Sequence, residues 1–244
     1  MRISVLSVGF DNITKDEAVS KAMSLMTKGD RKGPCPYVVT PNPEMIMSCQ
    51  QDGGFAKALS EAALSLADGV GVIYGARLLG RPLKEKIPGI DFASALIASM
   101  AEKGMSVFLY GSKPGVAEAA GERLAKEYPG LVIAGSHHGY DKDDEAVLEL
   151  INAAKPDFLF VCLGFPRQEM WLQKNRDRLN AGLAAALGGS LDVLSGQVER
   201  APAGFQRLGL EWLYRLLKEP SRIGRMKVLP VYLMKVIGSR GRHD

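Results

Sequence analysis

From Tyr37 to Gly189 the chain switches repeatedly between short unbroken apolar runs and longer stretches of helical periodicity. The runs "YVVT", "LSLAD", "SVFLYG", "LVIAG", "DFLFVCLG" and "GLAAALGG" read as strands. Between them, "DFASALIASMAEKG", "GVAEAAGERLAKEY", "DDEAVLELINAAKP" and "RQEMWLQKNRDRL" read as helices. Thr14-Lys15-Asp16-Glu17 is a capping box that opens an earlier helix ending near Lys28-Gly29. Strands with one exposed face alternate polar and apolar residues; these do not, so both of their faces must be covered. The pattern predicts an α/β fold: a Rossmann-like layered sheet, mostly parallel, with helices on both faces. In open sheets of this kind ligands bind beyond the carboxyl ends of the strands, which directs attention to the residues that follow each run.

At 244 residues, 46% hydrophobic and 24% charged, the chain can bury one full-sized core with at most a small appendage. The start, "MRISVLSVGFDN", lacks the uninterrupted apolar core of a secretory leader, so a cytosolic protein is expected. Cys35, Cys49 and Cys162 have neither metal-ligand nor disulfide spacing; reduced thiols are expected, with no metal site and no cofactor. Charge is uneven. Residues 197–244 hold ten Lys/Arg against four Asp/Glu, whereas the first 196 hold 21 against 23. After Gly196 only helical patterns remain, so the sequence divides into an α/β body, 1–196, and a basic helical appendage, 197–244. The last apolar run, "VLPVYLMKVI", is interrupted by Pro230 and Lys235 and falls far short of the roughly 20 residues that a membrane span needs.

The first run stops abruptly at Thr40-Pro41-Asn42-Pro43, leaving a hydroxyl and an amide at a strand end. Asp68 follows "LSLA" and precedes Gly69. Asp-Gly is a turn signal, and equally a carboxylate at the sheet rim that is available as a general base. Gly69-Val70-Gly71, with Asp91 twenty residues beyond Gly71, imitates a dinucleotide loop. A true one needs a long helix and then a second strand ending in the acid. Here the helical stretch breaks at Gly80-Arg81-Pro82, and Asp91 precedes a helix as an N-cap would. "SVFLYGSKPGVAEAA" runs a strand through Gly111 and Ser112 into a helix, which is either a plain turn or an anion cradle under free N–H groups. Asp141-x-Asp143, just after Tyr140, can be read as a metal-binding pair, but it directly precedes a helix and capping is favoured. His137-His138 has no further Cys/His partners and reads as structural or solvated. Arg167 and Gln168 open the helix after "FVCLGFP", and Asp192 follows the last strand. Gln168 is a candidate hydrogen-bond donor to a sugar.

Taken together, "TPNPEM", "LADGVGV", "IPGIDF", "LYGSKPG", "LGFPRQE", "GGSLDVLSGQVERAP" and "GLEWLYRLLKEPSRIGR" resemble the WecG/TagA/CpsF family of bacterial glycosyltransferases (glycosyltransferase family 26), in order and over nearly the whole chain. The resemblance implies inverting transfer of a sugar from a UDP-sugar to a glycan on a polyprenyl diphosphate lipid. The family's best-known branch implies transfer of N-acetylmannosamine (ManNAc) to GlcNAc-diphosphoundecaprenol in wall teichoic acid linkage-unit synthesis. ManNAc uronic acid or glucose donors, in common-antigen or exopolysaccharide synthesis, are the alternative within the family. Inversion in one displacement needs a base on the acceptor hydroxyl, opposite the leaving UDP, and by resemblance that base is Asp68. Thr40, Asn42 and Gln168 would hold sugar or acceptor hydroxyls. Gly111, Ser112, Tyr140 and Asp192 would receive the uridine diphosphate, with Lys86 and Arg167 also binding substrate. No metal requirement is implied.

Two positions depart from the family pattern. Lys86 stands where an arginine is expected, keeping the charge but losing bidentate phosphate geometry, and Leu191 replaces an aromatic beside Asp192. In the tail, Arg215, Arg222 and Arg225 would face the lipid diphosphate, while Trp212, Tyr214 and "VLPVYLM" would touch the membrane interface. The expected location is then the inner face of the cytoplasmic membrane, peripherally bound; the plain alternative is an amphipathic helical pair packed on the body. Two other classes compete: a nicotinamide-dependent oxidoreductase resting on Gly69-x-Gly71, and a nucleic-acid-binding protein resting on the basic tail. The tail's aromatics sit within apolar helix faces rather than as stacking platforms, so no nucleic acid partner is expected. A homo-oligomer is compatible with the sequence.

Overall fold

The computed structural model describes residues 1–26, 33–207, 209–218 and 228–240. Six strands form one parallel sheet: β3 (Tyr37–Val39), β4 (Leu64–Ser65), β5 (Ser106–Gly111), β6 (Val132–His137), β7 (Phe158–Cys162) and β8 (Leu183–Ala186). Their spatial order is β4-β3-β8-β7-β5-β6. The central strands are buried on both faces, as their unbroken apolar sequences require. Side chains alternate between two cores: Phe158 and Phe160 belong to one, Leu159 and Val161 to the other.

On the first face lie α1 (Lys15–Met26), α5 (Gly89–Ala101) and α6 (Val116–Glu127). The second face is covered by α2 (Pro43–Cys49), α3 (Gly53–Ser60), α7 (Asp144–Ala154) and α8 (Arg167–Asn175), with α4 (Val70–Leu78) contributing Val72 and Ala76 to the same core. The capping box closes α1 as expected. Glu17 N–H donates to Thr14 Oγ1 at 3.2 Å and Thr14 N–H to Glu17 Oε2 at 2.7 Å.

Several elements are not marked by the periodicity, α2, α3 and an N-terminal hairpin among them. β1 (Arg2–Val5) and β2 (Val8–Asp11) form an antiparallel hairpin whose turn residues, Leu6 and Ser7, sit at φ 49° and 68°. Such turns normally carry Asn or Gly, so no local signal marked this one. The hairpin protects the sheet edge: Asp11 Oδ2 accepts the Ser65 N–H at 3.0 Å, and Arg2 Nη2 donates to the Ala62 carbonyl at 2.6 Å.

The position of a binding crevice follows from the connections. β5 leads through α6, on the first face, outward to β6. The neighbouring strand β7 leads through α8, on the second face, the other way to β8. The chain therefore leaves these two adjacent strands in opposite directions and opens a gap at their carboxyl ends.

Beyond residue 196 the described chain is helical: α10 (Ala203–Arg207), α11 (Glu211–Lys218) and α12 (Val228–Gly238), after the short α9 (Ser190–Leu194). Tyr232 and Val236 of α12 are fully buried in the second core. The Tyr232 hydroxyl donates to the Gly71 carbonyl at 3.2 Å, and a Cβ at Gly75 would lie only 2.0 Å from the Tyr232 hydroxyl oxygen. Gly75 is the recess into which the ring fits. The opposite side of α12 exposes Val231, Met234 and Ile237, and α11 exposes Leu217. No helix among the described residues is long and apolar enough to cross a membrane.

Candidate active site

The gap between β5 and β7 is a crevice of about 430 Å³. Its floor is the contact of two strand ends. Gly111 closes β5 at φ 130°, where a Cβ would come within 2.3 Å of the Cys162 carbonyl oxygen, so only glycine lets the strands meet there. The next residue, Ser112, is held in the left-handed region at φ 59°. Its N–H donates to the Cys162 carbonyl at 2.9 Å and its carbonyl accepts the Gly139 N–H at 2.9 Å. Pinned on both sides, Ser112 turns its hydroxyl across the crevice to Asp192 Oδ1 at 2.5 Å. Asp192 sits in the first turn of α9, after the Gly188-Gly189 turn that forms the facing wall.

Positive charge comes from Lys113 and Arg167 at the rim, and α6 starts just beyond Lys113 with no side-chain bond from its cap, Gly115, to the free N–H groups. Arg167 is fixed by its neighbours: Nη1 donates to the Gly139 carbonyl at 2.6 Å and Nη2 to that of Asp141 at 3.4 Å. Tyr140 stands at the lip, 65% exposed. Beside it a column of rings runs inward from His138 through His137 and Tyr110 to Trp171, with centroid separations of 4.7, 6.3 and 5.1 Å. Asp143 caps α7, accepting the N–H groups of Glu145 and Ala146 at 3.1 Å each. Asp141 accepts from the Asp143 N–H at 2.9 Å and lies 3.1 Å from His137 Nε2, and these bonds hold its carboxyl below the usual range. Both members of the Asp-x-Asp pair thus organise a helix start.

A second cluster lies two strands away, at the ends of β3 and β4. Thr40 is nearly buried, with Oγ1 3.4 Å from the Ala186 carbonyl at the end of β8. A Cβ at Gly89 would be 3.2 Å from that hydroxyl, so glycine at the start of α5 makes room for it. Asn42 caps α2: its Oδ1 accepts the Met45 N–H at 3.0 Å, and Pro43 occupies the first helical turn. The prolines therefore begin a helix as well as ending a strand. Asp68 is half-buried; its N–H donates to the Pro41 carbonyl at 3.2 Å, which ties the ends of the two strands together. Gly69 at φ 92° makes the turn that the Asp-Gly pair signals.

The chain places several expected residues differently from the sequence reading. Asp91 is no N-cap; that position belongs to Pro88, and Asp91 in the first turn of α5 pairs bidentately with Arg200 at 2.5 and 2.9 Å. Arg200 also reaches Glu211 at 3.4 Å, and Lys86 lies 3.6 Å from the same carboxylate. Lys86 is thereby tied to α11. The spacing of Arg200 from Asp91, 109 residues, left no local signal for this network. The Gly69-x-Gly71 pattern is not a phosphate loop either: a Cβ at Gly71 would sit 2.7 Å from Pro43 Cγ, so that glycine serves the packing of α4 on α2. Gln168 is 3% exposed, with its amide bonded to Glu169 Oε1 at 2.7 Å and its oxygen accepting the Gly188 N–H at 3.0 Å. Leu191 is buried in the first core beneath Asp192. The Arg215 side chain, Arg222 and Arg225 lie outside the described residues.

A parallel layered sheet with a polar crevice at its switch point is a Rossmann-like architecture, in which ligands bind at the carboxyl ends of the strands. The chain matches the Glycosyl transferase WecG/TagA/CpsF family over residues 3–244, and it belongs to that family. It is 41% identical over 201 residues to the N-acetylglucosaminyldiphosphoundecaprenol N-acetyl-beta-D-mannosaminyltransferase of Bacillus spizizenii, an alignment covering 82% of this chain and 78% of that one. The protein of the same name from Staphylococcus aureus strain MW2 is 34% identical over 236 residues, covering 96% and 92%.

Proposed function

We propose that this glycosyltransferase moves ManNAc from UDP-ManNAc to GlcNAc-diphosphoundecaprenol with inversion and without a metal ion. The names of both relatives support the acceptor and the sugar. The observation that carries the mechanism is the division of one sheet rim into two polar stations. The β5/β7 crevice suits a nucleoside diphosphate: Arg167 and the α6 N-terminus offer positive charge, Tyr140 an aromatic face, and Ser112 with Asp192 hydroxyl and carboxylate groups for a ribose. The β3/β4 station offers Asp68 as the base for an acceptor hydroxyl approaching from the side opposite the nucleotide. Thr40 lies between them, one strand from the Gly188-Gly189 turn, where a transferred sugar would sit. Asn42 and Gln168 support this geometry through α2 and the turn.

The division into a catalytic body, 1–196, and a membrane-proximal appendage, 197–244, belongs to the same proposal. Exposed Leu217, Val231, Met234 and Ile237 supply apolar contact, and the tail's basic charge attracts anionic headgroups, with Arg215, Arg222 and Arg225 as the residues to bind the lipid diphosphate. The protein would then work peripherally on the inner face of the cytoplasmic membrane. The test is to incubate it with a panel of UDP-sugars and a GlcNAc-diphospholipid and identify products by mass spectrometry. A ManNAc-GlcNAc lipid is expected. Product only from UDP-ManNAc uronic acid or UDP-glucose would move the chain to another donor, and none from any UDP-sugar would overturn the reading.

A further inference from the structure

α8 opens with two consecutive buried polar residues, Gln168 and Glu169, which are 3% and 0% exposed. A carboxyl group in such a place is costly unless it is hydrogen-bonded or paired. Glu169 Oε2 has no hydrogen-bond partner among the described residues, and the only side-chain bond of Oε1 among them is the 2.7 Å contact from Gln168 Nε2. Gln168 in turn offers Oε1 to the Gly188 N–H at 3.0 Å. Gly188 stands in the left-handed region, φ 57°, in the turn that walls the crevice opposite Ser112. An amide has a donor end and an acceptor end, and only the acceptor end can serve the Gly188 N–H. The acceptor that Glu169 presents at the other end selects that orientation.

We propose that Glu169 is a positioning residue, orienting the Gln168 amide so that it holds the Gly188-Gly189 turn in the shape that receives the donor's diphosphate. This rests on the reading of the crevice as the donor site. Glu169 itself touches no substrate. Burial pushes its carboxyl up to about 7, and the relay survives protonation because Oε1 accepts whether or not Oε2 carries a proton.

Two variants test this, each checked for folding by urea denaturation. Glu169→Gln keeps an acceptor for Gln168, whereas Glu169→Leu removes it and leaves an apolar group of similar size. In E169L, hydrogen exchange at the Gly188 amide should accelerate about tenfold, the effect of losing one buried hydrogen bond. UDP affinity by calorimetry should fall by about the same factor, and the donor KM should rise with kcat little changed. E169Q should stay within about twofold of wild type on each measure. The proposal is refuted by slow Gly188 exchange in E169L, by equal damage in E169Q, or by faster exchange with unaltered UDP affinity. If wild type does not bind UDP at all, the donor-site reading fails, and Gly188 exchange alone decides whether Glu169 holds the turn.

Discussion

Glu169→Gln should also change how stability depends on pH. In the folded protein, burial among apolar neighbours raises the Glu169 carboxyl from 4.5 to about 7. Among the described residues, Cys49 and Tyr37 feel its charge, and both are raised to about 12 and so neutral across this range. Between pH 4.5 and 7 the unfolded chain has released this proton while the native state keeps it. The native state binds more protons, so stability falls as pH rises through this window and levels off above it. At about 1.4 kcal/mol per pH unit, the full effect is on the order of 3 kcal/mol, of which about 2–3 appears between pH 5 and pH 8. Glutamine does not titrate. The stability of E169Q relative to wild type should therefore grow by that amount over this interval, whatever constant offset the substitution adds. Urea denaturation of both proteins at pH 5 and pH 8 measures it. With a denaturant slope of about 2–3 kcal/mol per M, the gap between midpoints should widen by roughly 1 M. Parallel pH profiles would show that the carboxyl titrates normally in the fold, and the burial argument would be wrong.

Asp68→Asn should lower kcat by roughly 10²–10⁴-fold with little change in UDP affinity, because a general base faces the acceptor; a kcat within about threefold of wild type would remove Asp68 from the mechanism. Treatment with EDTA should leave turnover unchanged, and a loss restored by Mn²⁺ or Mg²⁺ would revive a metal role for Asp141. Gly111→Ala forces a Cβ against the Cys162 carbonyl at a φ unfavourable to alanine, so urea unfolding should show at least about 1–3 kcal/mol lost, with weaker UDP binding; a wild-type midpoint would contradict the close strand contact. Tyr232→Ala empties the recess at Gly75 and should cost on the order of 3–5 kcal/mol of α12 docking, read as faster hydrogen exchange along α12, and unchanged exchange there would mean the helix is held by other contacts.

Much of the fold was legible in the amino-acid order because it is written in periodicity. Short continuous runs such as Phe158–Cys162, alternating with long amphipathic stretches, read as strands covered on both sides and the helices that cover them. The Thr14–Glu17 box and the Asp143 cap were also legible, since each satisfies backbone donors within three residues. The resemblance to the family went further and supplied Asp68, Thr40 and Asp192 as the site residues proposed above. The β1/β2 hairpin was not legible, because Leu6 and Ser7 adopt left-handed geometry without the residues that normally announce it.

What remained for the tertiary structure was every relation between residues far apart in the chain. Local sequence marks Ser112 and Asp192 as strand-end residues. That they share a hydrogen bond across 80 positions follows from β5, β7 and β8 lying side by side in the sheet. No local pattern links Arg200 with Lys86, which only the placement of α11 joins through Glu211. Glu169 is the clearest case. In "RQEMW" it reads as an ordinary exposed acid in a helix's first turn, and no neighbour in sequence says otherwise. Periodicity reports which face of a helix is apolar, but burial depends on what packs against that face. Only the placement of α8 on the sheet turns a routine glutamate into a buried carboxyl that holds Gln168.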